Sequence, residues 1–143
     1  MAKAQRTETF DVPIEKIYNV IVDYKSYPQF VIGVNDTEVL EQDENGARVT
    51  YSIDMIKKIT YTLKLKHKKP NHVSWSFESG DLFKINEGSW DLKDNGDGTT
   101  DVTYALEIAV KGFIPGAKMI VNKLTETSLP SMMKSYHERA KSI

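Results

Sequence analysis

The chain has 143 residues, carries 19 Lys and Arg against 20 Asp and Glu for a formal net charge of −1, and contains no cysteine. A chain of this length is expected to be one domain, residues 1–143, able to bury a core without cross-links. The charge balance gives no whole-molecule field for nucleic acid or an anionic membrane, and the missing cysteines exclude disulfides, thiolate metal sites and cysteine nucleophiles.

Met1 to Arg6 holds no apolar signal-like run, and no apolar run approaches a membrane span, so a cytoplasmic location is expected. Thr7 to Val12 reads as a first strand. Pro13 opens a helix, because the first turn has no use for the N–H that proline lacks. Ile14, Ile17, Tyr18 and Ile21 then recur at helical spacing and give one apolar face. Asp23 and Tyr24 end that helix. Tyr27-Pro28 does not continue it, since proline restricts the residue before it. Phe30 and Val31 follow on a short second helix or turn.

Strands come next. Thr37 to Gln42 is one, and Asp43-Glu44-Asn45-Gly46 turns a hairpin. Ala47, Val49, Tyr51, Ile53 and Met55 alternate with Arg48, Thr50, Ser52 and Asp54, the pattern of a half-buried strand. Ile59, Tyr61, Leu63 and Leu65 alternate with Thr60, Thr62, Lys64 and Lys66 in the same way. After the turn at Lys69-Pro70-Asn71, Val73, Trp75 and Phe77 alternate with serines, and Ser79-Gly80-Asp81 turns the chain again. Leu82 to Leu92 is a longer strand with Gly88 as an expected bulge. Asp94 to Gly98 is a turn, and Val102, Tyr104, Leu106, Ile108 and Val110 mark the last strand. Gly112 to Gly116 is a loop. Residues 117–142 read as one long helix with Ile120, Leu124, Ser128 and Met132 on a stripe and a kink at Pro130.

This order defines an α+β fold. An antiparallel sheet of about seven strands is expected to curl around a single long C-terminal helix, with two short helices after the first strand closing an end. The charges outside are segregated. Residues 45–72 hold Arg48, Lys57, Lys58, Lys64, Lys66, Lys68 and Lys69 against Asp54, whereas residues 78–107 hold eight acids against Lys84 and Lys93. Two solvated strand faces of opposite sign explain this, and a basic patch for an acidic partner or lipid headgroups is the sharper alternative.

Chemistry-bearing patterns are scarce. His67, His72 and His137 lack metal-ligand spacing, Gly96 and Gly98 belong to a hairpin, and no serine sits in a nucleophile elbow. No metal, cofactor or catalytic residue is therefore assigned. The aromatics are more telling, because Tyr51, Tyr61, Trp75, Phe77, Trp90 and Tyr104 all come from strands and most face inward.

Three groups of residues resemble a known superfamily. They are Val20-Ile21-Val22-Asp23-Tyr24 with Tyr27-Pro28-Gln29-Phe30-Val31, then Glu87-Gly88-Ser89-Trp90-Asp91-Leu92 with Gly98-Thr99-Thr100 and Val102-Thr103-Tyr104, and finally Ile114-Pro115 before a helix containing Leu129-Pro130. Their order is similar to the START-like, or Bet v 1-like (SRPBCC), helix-grip superfamily. The nearer resemblance is to its polyketide cyclase/dehydrase and coenzyme Q-binding branch, which includes the RatA-type proteins. Where the quinone-binding subgroup has a Pro-x-Cys element, Ile32-Gly33-Val34 stands here.

The resemblance implies a cavity between sheet and helix. Phe30, Val31, Tyr51, Ile53, Met55, Tyr61, Leu63, Trp75, Phe77, Trp90, Tyr104, Leu106, Ile120, Leu124 and Ser128 are its expected wall, with Tyr24–Val34 and Gly112–Gly116 as the entrance. A space of a few hundred Å³ would suit a lipid, quinone or polyketide-like molecule, with tyrosine hydroxyls orienting its polar groups. Carriage of such a ligand is the first reading. Alternatives are a cyclase or dehydratase, and a ribosome-associated module using Lys64, Lys66, Lys68 and Lys69. The expected partner is a hydrophobic small molecule, with transient membrane-surface contact and RNA or ribosome contact as further alternatives and no DNA.

Overall fold

The computed structural model describes residues 2–55, 57–112 and 114–143, with Met55 by its backbone alone. Among these the alternating segments form seven strands: β1 Ala2–Phe10, β2 Val34–Asp43, β3 Gly46–Met55, β4 Lys57–Lys68, β5 His72–Gly80, β6 Phe83–Asp94 and β7 Thr100–Val110. They make one antiparallel sheet in the order β1-β7-β6-β5-β4-β3-β2. Hairpins join every pair from β2 to β7. At the β2–β3 turn, Asp43 Oδ1 accepts from the N–H groups of Asn45 and Gly46 at 2.8 and 3.1 Å. That local bond fixes the β2–β3 register, and with it which side chains face inward.

β1 and β2 lie at opposite edges of the sheet, so the chain between them must cross the concave side. It does so as α1 (Ile14–Val22), a 3₁₀ turn (Tyr24–Ser26) and α2 (Tyr27–Phe30). The Pro13 carbonyl accepts from Lys16 N–H at 3.1 Å, and α1 buries Ile14, Ile17, Tyr18, Val20 and Ile21. Pro28 occupies the first turn of α2, so it starts the second helix.

Some details differ from the sequence expectation. The first strand runs Ala2–Phe10 rather than Thr7–Val12, because its pairing with β7 extends from Phe10 opposite Thr100 to Ala2 opposite Ile108. Gly88 is not a bulge. It pairs regularly with Leu106, and the irregularity falls between Phe83 and Ile85. Glycine is required for space: a Cβ at Gly88 would lie 2.6 Å from Trp75 Cζ2 and would also strike the Ala105 carbonyl oxygen. The C-terminal segment is also interrupted rather than simply kinked. It runs as α3 (Ala117–Asn122), a π-helical turn (Lys123–Thr127) and α4 (Leu129–Ser142). Pro130 has no N–H to give and crowds the carbonyl four residues before it. The backbone widens ahead of it, with Ser128 N–H donating to the Lys123 carbonyl at 2.9 Å, and α4 restarts with Pro130 in its first turn.

α1 packs on α4 and β6 and fills one end of the concave face. Phe10, Ile17, Leu92, Val102 and Met133 are buried there. Thr100 Oγ1 donates to the Val12 carbonyl at 2.8 Å, so this buried hydroxyl is satisfied.

Candidate functional site

The other end of the concave face is not filled. A cavity of about 130 Å³ lies between the sheet, α2 and the α3–α4 break. Its aromatic wall follows from strand register. Tyr51 stands opposite Tyr61 across β3–β4, Leu65 opposite Trp75 across β4–β5, and Trp90 opposite Tyr104 across β6–β7. Side chains on one face repeat every second residue, so these rings project into the same space. The Tyr51 and Tyr61 rings stack with centroids 5.5 Å apart, and Trp90 meets Tyr104 at 4.7 Å.

Of the expected wall residues, Val31, Tyr51, Ile53, Tyr61, Leu63, Trp75, Trp90, Tyr104, Leu106, Leu124 and Ser128 border this cavity. Phe30 stands behind the wall, edge-on to Tyr27 and Tyr136 and beneath the Arg139 guanidinium at 5.3 Å. Phe77 packs against Phe83, and Ile120 is fully buried in the core; neither borders the cavity. The Met55 side chain lies outside the described residues. Ile32, Gly33 and Val34 at the start of β2, and Leu124, Ser128 and Met132 at the α3–α4 break, also border it. Ile32 is 74% exposed although it borders the cavity, which marks this rim as the opening. The described residues of Gly112–Gly116 do not take part, and Phe113 lies outside the description.

Sequence reasoning placed Tyr24 and Tyr27 only in the entrance segment, and among the wall residues that it did not name are Tyr136 and Asn86. Tyr24, Tyr27 and Tyr136 come from helical turns whose rotation about the sheet is a tertiary matter. Asn86 was within reach, since it shares the parity of Gly88, Trp90 and Leu92 in β6, but the expected bulge at Gly88 obscured the alternation.

No Asp, Glu, Lys, Arg or His borders the cavity among the described residues. Burial pushes the phenols of Tyr51, Tyr61, Tyr104 and Tyr136 above their ordinary range, so each stays an uncharged O–H. Tyr27 donates to the Ile21 carbonyl at 2.5 Å, which leaves its ring as wall and its hydroxyl occupied. Beside the cavity, Tyr24 and His67 share a buried hydrogen bond of 2.8 Å, and burial lowers the His67 pKa. Among the described residues no group of three or more His, Asp and Glu is placed to hold a metal ion. The arrangement can desolvate an apolar body, stack on its rings and hydrogen-bond its polar edges.

A curved seven-stranded antiparallel sheet gripping a C-terminal helix, with two short helices after the first strand, is the helix-grip fold of START-like proteins. Residues 10–135 match the family of polyketide cyclases/dehydrases and lipid transport proteins, and the chain belongs to that family. A search of curated protein sequences returned no match. Among solved structures, the chain is similar to a protein of Thermus thermophilus at 21% identity and a TM-score of 0.85, covering 99% of this chain and 98% of that one. It is similar to the Zhui aromatase/cyclase of a Streptomyces species at 14% identity and a TM-score of 0.87, over 98% and 93% of the two chains. A START superfamily protein of Mycobacterium smegmatis aligns at 18% identity and a TM-score of 0.82, over 98% and 97%. At these identities the structural likeness establishes the fold.

Proposed function

We propose that this protein binds and carries an uncharged, largely aromatic small molecule in the cavity beneath the α3–α4 break. The observation that carries the reading is the wall itself: aromatic and aliphatic side chains, neutral hydroxyls, one amide and, among the described residues, no ionised group. Such a wall favours apolar area, and it penalises a charged ligand, which would lose its hydration without a counter-charge. Membership of a family that includes lipid transport proteins supports it.

Size narrows the candidates. An apolar cavity of about 150 Å³ holds a benzene-sized molecule. At about 130 Å³, the closed form seen here suits a single ring. A quinone, polyketide or lipid would need the Ile32–Val34 rim to move away from the π-helical turn. Native mass spectrometry of the protein as purified tests the reading, because a bound molecule gives both occupancy and mass. Ligand-free protein that also takes up no aromatic probe would overturn it.

Cyclisation or dehydration of a polyketide-like chain is the second reading, favoured by the family and by the aromatase/cyclase among the similar structures. The cavity would act by folding the substrate, with tyrosine hydroxyls beside its carbonyls. Turnover of a cyclisable substrate, lost in Tyr61→Phe or Tyr104→Phe, would put catalysis ahead of carriage.

A further inference from the structure

The backbone ladder between β5 and β6 is short. It runs from His72 opposite Asp91 to Trp75 opposite Gly88 and stops there, although both strands continue. Just past the last rung, a side-chain bond replaces the ladder: Trp75 Nε1 donates to Asn86 Oδ1 at 3.1 Å. This bond decides the orientation of the amide. An indole nitrogen only donates, so the Asn86 oxygen must face it, and the NH₂ must face the other way.

Asn86 is only 5% exposed and borders the cavity. Its Nδ2 makes no hydrogen bond among the described residues, while every fully enclosed side-chain nitrogen and oxygen among them has a partner. The Nδ2 atom must therefore border open space, and the cavity is the space its residue borders. A buried amide held by one end presents its N–H groups as fixed donors to whatever occupies that volume. The pocket thus combines a directed donor with the stacked pair Tyr51–Tyr61 and the edge-on pair Trp90–Tyr104 in the same wall.

Resting on the reading of this cavity as a ligand site, we infer that Asn86 is its specificity-determining donor, oriented by Trp75 and selecting uncharged aromatic ligands that carry a carbonyl oxygen. A ligand without an acceptor leaves the Asn86 N–H groups buried and unpaired, which is where discrimination comes from. Trp75 acts as a positioning residue, because it touches the amide oxygen and sets which atoms face the ligand.

Acetophenone and α-methylstyrene form a matched pair of probes, since they differ by C=O against C=CH₂ on the same single-ring skeleton and are equal in size. Their dissociation constants are measured by ¹H–¹⁵N NMR titration of the intact protein and of Asn86→Leu. The preference for acetophenone over α-methylstyrene is expected to fall by about fivefold in Asn86→Leu, the size of one neutral hydrogen bond. In the unsubstituted protein, the Asn86 side-chain N–H resonances are expected to move downfield with acetophenone and much less with α-methylstyrene. That second readout decides the matter even if Asn86→Leu does not fold. Binding of both probes with equal Asn86 shifts, or an unchanged preference in a folded Asn86→Leu, would overturn the role of Asn86 and leave the cavity as a binding site. Binding of neither probe up to its solubility would overturn both.

Discussion

The two ends of the concave face are built from the same strands and do opposite things. At the α1 end, β6 and β7 contribute Leu92 and Val102, and α1 settles onto them with Ile17 fully buried. At the other end, the same two strands contribute Asn86, Trp90, Tyr104 and Leu106, and the helical layer leaves a cavity. Aliphatic side chains pack against a helix at close distance. Large rings opposite one another hold neighbouring surfaces apart, and the interrupted α3–α4 segment cannot follow them inward. One face thereby serves as both core and container.

Truncating the same residue type at each end puts this contrast under the greatest load. Ile17→Ala removes atoms from a filled environment and is expected to cost about 3–4 kcal/mol in urea unfolding. Ile53→Ala is expected to cost less, about 2 kcal/mol, because one side of Ile53 already faces space and has fewer partners to lose. Equal costs would mean that the cavity end is packed like the core.

Gly88 ties the ends together through Trp75. Gly88→Ala is expected to destabilise by about 1–3 kcal/mol, because the new methyl group must displace the Trp75 ring or the β7 backbone. The chain has only two tryptophans, so the indole resonances show directly whether Trp75 has moved. An unchanged Trp75 signal in a fully stable variant would refute the close approach.

A smaller effect reports on the boundary, where Tyr24 caps His67. Burial lowers the His67 pKa below its ordinary 6.5. Below that pH the unfolded chain takes up a proton that the folded chain resists, so this contribution to stability is complete above 6.5 and declines as the pH falls. Comparing urea midpoints at about pH 7.5 and about pH 5.5, His67→Gln is expected to show a shallower loss than the unsubstituted protein. Identical slopes would show that His67 titrates freely.

The smallest effect is expected on the convex face. Arg48 on β3 donates to Glu78 on β5 through Nε at 2.8 Å and Nη2 at 2.7 Å. Both groups face solvent, so Arg48→Gln is expected to shift the urea midpoint least of the set, with the shift vanishing at about 1 M salt. This pair also shows how the charge segregation is used, since it joins the basic β3–β4 segment to the first acid of the following segment.

Much of this architecture was legible in the sequence. Period-two alternation from Ala47 to Met55 and from Ile59 to Lys66 named the inward faces of β3 and β4, because a strand has only two sides. Pro13 and the Ile14, Ile17, Tyr18, Ile21 spacing located α1 for a similarly local reason. Asn86 shows where local reading failed. A glycine in a strand suggests a bulge when only propensity is considered, but Gly88 answers to a ring from the neighbouring strand, and that misreading hid the parity of Asn86.

Residue type and periodicity act within a few residues, and they were enough for the strands, their inward faces, the first helix and the absence of cysteine chemistry. Three things waited for the folded chain: how far the α3–α4 break stands from the sheet, which helix-borne rings border the resulting space, and which end of the Asn86 amide faces it. Those depend on contacts between residues distant in the chain: Trp75 with Asn86, Tyr51 with Tyr61, Tyr27 with Tyr136. No local pattern encodes such distances, because each is set by the packing of both partners at once.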